Sequence, residues 1–177
     1  MSATRVFIAA MLLGLVPASA LAQAQAEKPR SFAWDVTRAV LIDPTTYAPA
    51  LISHEAIRRD WKSSQILFAN GWLEQNARFT VSGRTNDVPV SYEEGARRIH
   101  RIALTIFQHS AVNNMSARAV ERLLVARYPH RKRLIRALSW AERIVFASLL
   151  TYTNSADHIR QASTNRRLAR EYGYTDR

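Results

Sequence analysis

The side chains able to bind a metal or move a proton are scattered through this 177-residue sequence. It contains five histidines, no two of them three or four residues apart: His54, His100, His109, His130 and His158. A spacing of three or four residues would put two imidazoles on one helix face, where both could reach one metal ion. His54-Glu55 begins like an HExxH zinc motif, but Arg58 stands where the second histidine is needed. We predict no metal site and no cofactor.

Paired carboxylates are the other route to enzymatic chemistry, because glycoside hydrolases use two of them across the scissile bond. The candidates are Glu74, Asp87, Glu93 and Glu94. Ser91 and Glu94 fit a helix capping box, which already accounts for one of the four. The chain has no cysteine, which excludes disulfides, thiolate metal sites and a cysteine nucleophile. We assign no catalytic residue, and a cell-wall glycan hydrolase remains an alternative.

Positive charge is the dominant electrostatic feature. The chain carries 25 Lys and Arg against 14 Asp and Glu, a formal charge of +11, and this excess favours anionic partners. Basic residues are densest in one stretch: Arg127, Arg131, Lys132, Arg133, Arg136 and Arg143. We expect Arg131, Lys132, Arg133 and Arg136 to bind an anionic lipid or envelope polymer, the alternative being a solvated surface. Nucleic acid is the weaker candidate for an exported protein.

The segment 72–90 has a different composition from its surroundings. Arg78-Phe79-Thr80-Val81-Ser82 favours a strand, and Gly83 with Thr85-Asn86-Asp87 favours turns. We predict one long ordered loop or a short β-hairpin here. Loops of this length are often functional, so its polar side chains could line a pocket together with His109. The candidates for that pocket are Arg78, Arg84, Asn86 and Asp87, and the alternative is that they bond the loop's own backbone.

The N-terminus has the pattern of a secretory signal. Arg5 precedes the apolar run Val6 to Val16, Pro17 follows, and Ala20-Leu21-Ala22 fits a small-x-small cleavage site. The run is too short to cross a bilayer. We predict a cleavable signal peptide over 1–22, a flexible leader over 23–30, and export to the periplasm or beyond, with no transmembrane segment in the mature chain.

The rest of the chain favours helix, since alanine, leucine, arginine and isoleucine are abundant and only five glycines occur. We predict an all-α protein, a single compact bundle of about five to six helices over 31–177. Breaks are expected at Asn113–Ser116 and Thr153–Ser155. The apolar stretch Ile144 to Leu150 should lie in the core, and Val120, Leu123 and Leu124 should face inward.

Two functional hypotheses follow, and the sequence does not choose between them. In the first, the protein is a non-catalytic module that binds an anionic component of the cell envelope through its basic face. In the second, it is an enzyme or small-ligand binder whose pocket is closed by the 72–90 loop. The sequence gives no indication of the oligomeric state.

Overall fold

The computed structural model describes residues 31–174; the signal peptide and leader predicted over 1–30 lie outside these residues. Four α-helices follow one another, and we number them in chain order: α1 Phe32–Leu41, α2 Pro44–Phe68, α3 Tyr92–Arg127 and α4 Lys132–Glu171. Single 3-10 turns occur at Ala77–Phe79 and Pro129–Arg131. The described chain is all-α, as predicted, and it contains no β-strand.

The helix starts follow from local sequence. Ser31 accepts a hydrogen bond from the Trp34 amide, Asp43 accepts one from the Thr45 amide, and Ser91 accepts one from the Glu94 amide. Each bond satisfies an N–H that has no partner within its own helix. Ser91 therefore caps α3, as the capping box predicts, whereas the Glu94 carboxylate accepts hydrogen bonds from Arg97, Arg98 and Arg101.

The predicted five to six helices are not confirmed, because residues 31–174 form four α-helices, three of them long. The breaks expected at Asn113–Ser116 and Thr153–Ser155 lie inside α3 and α4. Asn114 turns inward, and its Nδ2 donates to Oγ1 of Thr45 and Thr46 at 2.9 and 2.8 Å. Ser155 donates to the Thr151 carbonyl one turn earlier. These polar side chains find partners within the bundle, so they do not end the helices.

Helix α2 packs against both α3 and α4, and α1 packs on α3. The largest apolar cluster lies at one end, where the 72–90 loop covers α2 and α3. It consists of Ile57, Trp61, Phe79, Val90 and Ile99. This cluster fixes the loop against the helices.

The 72–90 segment is an ordered loop. Glu74 pairs with Asp87 and Thr80 pairs with Pro89 in isolated antiparallel bridges. Asn86 has a positive φ of 60°, a conformation that asparagine tolerates better than most residues. The hairpin offered as one possibility for this segment is not formed as two regular strands.

Much of the remaining interior is polar or small. The fully buried side chains include many that carry a hydroxyl, an amide or a charge: Thr46, Ser53, Ser110, Asn114, Arg143, Thr151, Ser155 and Asn165. Large apolar side chains, by contrast, are abundant on the outside of α3 and α4. Soluble proteins do expose single apolar residues, but a continuous exposed patch marks an interaction surface.

Candidate lipid-binding surface and basic cleft

A row of exposed apolar side chains runs along the outer side of α4. Leu138, Val145, Tyr152 and Ile159 follow one another at intervals of seven residues, and all four are exposed. Residues seven apart on an α-helix drift by only about 20°, so these four side chains share one face. Leu134 and Leu149 widen the face, which we call the α4 stripe. From Leu134 to Ile159 it is about 37 Å long at 1.5 Å per residue.

The opposite side of α4 explains why the stripe points outward. Its buried positions are occupied mainly by short or polar side chains: Arg143, Ala147, Thr151, Ser155, Ala162, Asn165 and Ala169. Short side chains allow α2 to approach α4 closely. Asn165 donates to side chains of α2, whereas Thr151 and Ser155 donate to carbonyls one turn earlier in α4. The expectation that Ile144 to Leu150 would be buried is wrong for Val145 and Leu149, which are 57% and 59% exposed.

The exposed apolar residues of α3 are arranged less regularly. Leu104, Val112 and Leu123 are exposed, and Gln108 and His109 lie exposed between them. Val120 and Leu124 are exposed as well, so the inward orientation expected for Val120, Leu123 and Leu124 is wrong. The polar residues divide this face into short apolar patches. On α4 the exposed Glu142 stands between Leu138 and Val145, but the apolar residues recur there at a regular interval of seven.

Basic side chains stand at both ends of the α4 stripe. Arg131, Lys132 and Arg133 are exposed just before Leu134. At the other end lie four exposed arginines, which follow Ile159: Arg160, Arg166, Arg167 and Arg170. The six residues of the stripe carry no charge. At the C-terminal end Arg160 pairs with Asp157 and Arg167 pairs with Glu171, so the arginines without an acidic partner among residues 31–174 are Arg166 and Arg170. The surface is therefore mainly apolar along its length and cationic at its two ends.

Only part of the predicted basic cluster is free for an anion. Arg131, Lys132 and Arg133 have no acidic partner within ion-pair distance among residues 31–174. Arg136 is exposed, with its Nε 3.8 Å from Oε1 of Glu121. Arg143, which the sequence groups with them, is buried instead and pairs with Asp43. Arg143 therefore stabilises the interior of the bundle and is not part of the exposed basic surface.

A basic cleft of about 580 Å³ opens between α2 and the C-terminal end of α4. Five cationic side chains line it: Arg58, Arg59, Lys62, Arg166 and Arg170. Glu55 is the only carboxylate among the lining residues that belong to 31–174, and Ser63 and Tyr174 add hydroxyl groups. The described lining residues therefore have a formal charge of +4.

Glu55 orients two of these arginines. Arg58 donates to Glu55 through Nε and Nη2 at 2.8 and 3.0 Å, and Arg59 donates through Nε at 2.6 Å. These hydrogen bonds lower the pKa of Glu55 to about 2. Lys62, Arg166 and Arg170 have no such carboxylate within the described chain. Three cations of the cleft are therefore not neutralised by a carboxylate of residues 31–174.

Tyr174 closes one side of the cleft and is held there by aromatic contacts. Its hydroxyl accepts a hydrogen bond from Trp72 Nε1 at 3.3 Å, and its ring stacks on Tyr172 with centroids 5.7 Å apart. Tyr172 in turn meets the Trp72 ring edge to face. The start of the 72–90 loop thus anchors the end of the described chain beside the cleft.

A second, much smaller cavity lies beneath the 72–90 loop. Nδ1 of His158 is 2.7 Å from Oδ2 of Asp60, and Asn165 donates to the other Asp60 oxygen. Desolvation raises the pKa of Glu74, which also lines this cavity. The cavity measures about 20 Å³, which is room for about one water molecule. This carboxylate–imidazole pair joins α2 to α4 and has no space for a substrate beside it.

None of the five residues predicted to line a pocket, in the 72–90 loop and at His109, lines either of these two cavities. Asn86 accepts a hydrogen bond from Gln75, Asp87 accepts one from the Ser82 amide, and the Arg84 amide donates to the Ser82 hydroxyl. The Arg78 carbonyl accepts from Arg98, while His109 is exposed on α3. The side chains of Asn86 and Asp87 bond the loop itself, whereas Arg78 and Arg84 take part in these bonds through their backbone.

The residues of the cleft were not identified from the sequence. Arg58, Arg59 and Lys62 are separated from Arg166 and Arg170 by about a hundred positions in the chain. Their spacing within each helix is that of an ordinary solvated face. The two groups meet only because α2 and α4 pack side by side. The local sequence of either helix does not predict that packing.

Comparison with protein-family models, curated proteins and solved structures finds no match to this chain. Within residues 31–174 no helix is both long enough and apolar enough to cross a membrane. No group of three or more potential metal ligands is found in the same residues. The α4 stripe and the basic cleft are therefore the features on which a functional proposal can be built.

Proposed function

We propose that this protein is an exported, non-catalytic module that binds the surface of an anionic membrane. The observation that carries the proposal is the α4 stripe with basic side chains at both of its ends. Anionic phospholipid is the partner for which this combination is suited, because it offers an apolar layer beneath a negatively charged surface. Export, proposed from the N-terminal sequence, would bring the protein to such membranes.

The geometry suits a helix that lies in the plane of the membrane. Helices of this kind bury their apolar face about 5–10 Å into the boundary between headgroups and acyl chains. The outward side chains Leu138, Val145 and Tyr152 would enter that layer while the rest of the bundle stays above it. Each Lys or Arg near an anionic surface adds about 1 kcal/mol of attraction. Arg131, Lys132 and Arg133 supply that attraction at one end.

A second copy of the chain is the competing occupant of the stripe. Two α4 helices could pair through residues at seven-residue spacing, as coiled coils do. The charges favour lipid, because the ends of the stripe are cationic in every copy. In an antiparallel pair, residues 131–133 of one copy would approach the basic C-terminal end of α4 in the other copy. In a parallel pair they would approach residues 131–133 of the other copy. Both arrangements bring like charges together, which disfavours pairing.

Co-sedimentation with vesicles tests the proposal. We expect the protein to bind vesicles of phosphatidylcholine mixed with phosphatidylglycerol and to bind pure phosphatidylcholine at least tenfold more weakly. Raising the salt concentration should weaken the binding, since screening reduces surface attraction. Equal binding to both vesicles, or none to either together with a stable dimer in light scattering, would rule out the proposed function.

A further inference from the structure

We propose that the basic cleft between α2 and α4 is a binding site for a phosphate group with more than one negative charge. The cleft shares Arg166 and Arg170 with the basic end of the α4 stripe, and it would give the protein a specific ligand in addition to a general attraction to anionic surfaces. The inference does not require that the protein bind membranes.

The cleft has the charge that such an anion needs. Its lining residues within 31–174 carry a formal charge of +4, and Lys62, Arg166 and Arg170 lack an acidic partner in the same part of the chain. Like charges gathered in one cleft repel one another, so an anion that enters relieves this repulsion. The walls of a cleft also hold solvent away and focus the field, which raises the local concentration of anions.

The donors point to phosphate in particular. Four of the five cations are arginines, whose planar groups match the oxygens of a phosphate by paired hydrogen bonds. Glu55 occupies Nε of Arg59, which leaves both terminal nitrogens of that side chain without a partner among residues 31–174. Lys62 offers a point charge, and Ser63 and Tyr174 offer hydroxyls at the edge. A singly charged carboxylate would use fewer of these donors.

The position of the cleft connects it with the α4 stripe. Arg166 follows Ile159 by seven residues, so it continues the line of Leu138, Val145, Tyr152 and Ile159 along α4. Arg170 lies one turn further on. A phosphate group in the cleft would therefore sit at the end of the apolar stripe. The phosphate could belong to a lipid headgroup or to a free, soluble compound, and the chemistry of recognition is the same.

The test compares two pairs of arginines on the same stretch of α4. Isothermal titration of the purified protein with inorganic pyrophosphate, and sedimentation with phosphatidic acid vesicles, are made for Arg166→Ala/Arg170→Ala. The matched control is Arg160→Ala/Arg167→Ala, which removes the same charge outside the cleft lining. Vesicles made anionic with oleate provide the same surface charge without phosphate. Circular dichroism confirms that both variants remain helical.

We expect the Arg166→Ala/Arg170→Ala variant to bind pyrophosphate at least tenfold more weakly than the native chain, and the control less than twofold more weakly. If pyrophosphate does not bind but phosphatidic acid vesicles bind better than oleate vesicles and lose this preference in the same variant, the ligand is the lipid headgroup. Equal losses in both variants, or no preference for phosphate in either assay, would overturn the proposal. Pyrophosphate binding without any vesicle binding would uphold this site while rejecting the membrane function.

Discussion

Arg143 and Asp43 form a buried ion pair that joins α4 to the residue capping α2, with Nε of Arg143 3.0 Å from Oδ2 of Asp43. Glu121 of α3 lies 3.6 Å from the same guanidinium, and Arg118 bridges Asp43 and Glu121. Burial lowers the pKa of Arg143, and the two carboxylates oppose that shift. The network ties α2, α3 and α4 together at the end of the bundle that presents Arg131, Lys132 and Arg133.

Replacing Arg143 should therefore be costly. Arg143→Ala leaves Asp43 and Glu121 buried with less compensation, and breaking a buried pair in this way typically costs about 3–5 kcal/mol of unfolding free energy. Arg136→Ala is the matched control, because Arg136 is exposed and meets Glu121 only at 3.8 Å, which implies a cost below about 1 kcal/mol. Urea unfolding followed by circular dichroism measures both. Similar costs for the two variants would contradict the assignment.

Gly95 should resist even a single added methyl group. A Cβ at this position would overlap the indole of Trp61, which is buried and donates through Nε1 to the Tyr92 carbonyl. Overpacking of this kind typically costs about 1–3 kcal/mol, and we expect Gly95→Ala to lose that much. The double variant Gly95→Ala/Trp61→Leu should lose less unfolding free energy than the sum of the losses in the two single variants. Strict additivity in urea unfolding would show that the two residues do not touch.

The stacked pair of His54 and His100 makes stability depend on pH. Their ring centroids are 4.9 Å apart, and desolvation, followed by the charge of His100, lowers the pKa of His54 below its usual 6.5. As the pH falls, the unfolded chain therefore takes up a proton at His54 at a higher pH than the folded chain does. The contribution of His54 to stability is complete above pH 6.5 and is lost as the pH falls through the lowered value.

The titration of His54 can be followed by NMR. We expect a midpoint below 6.5 in the native chain and a rise toward 6.5 in His100→Gln, because that change removes the neighbouring charge. His54→Gln should show a smaller fall in melting temperature between pH 7.5 and 5.5 than the native chain does. A midpoint at or above 6.5 would contradict the stacked, partly desolvated arrangement.

The sequence predicts the ends of the helices better than their interiors. Ser31, Asp43 and Ser91 act through bonds to residues two or three positions away, so their roles can be read locally. Asn114 and Ser155 belong to types that favour turns, yet they lie inside helices because Asn114 bonds α2 and Ser155 bonds its own helix. Those partners depend on packing, which local propensity does not include.

Which side of α4 faces the bundle could not be predicted from the sequence, for a related reason. Periodicity shows that Leu138, Val145 and Tyr152 share one face, but the usual assumption that the apolar face is buried fails here. The side of α4 that packs carries Arg143, Thr151 and other short or polar groups, whose partners lie on other helices or one turn away. Only the assembled bundle shows that the apolar side is left outside.

The most direct test of the membrane proposal is vesicle binding by a variant of the α4 stripe. Leu138→Gln/Val145→Thr/Tyr152→Gln removes apolar surface from the stripe, and Leu104→Gln/Val112→Thr/Leu123→Gln removes a similar amount from α3 as the control. With phosphatidylglycerol vesicles, we predict that the stripe variant binds at least tenfold more weakly, a loss of about 1.4 kcal/mol. The α3 control should bind within twofold of the native chain. Equal binding by all three proteins would contradict the proposal that α4 lies on the membrane.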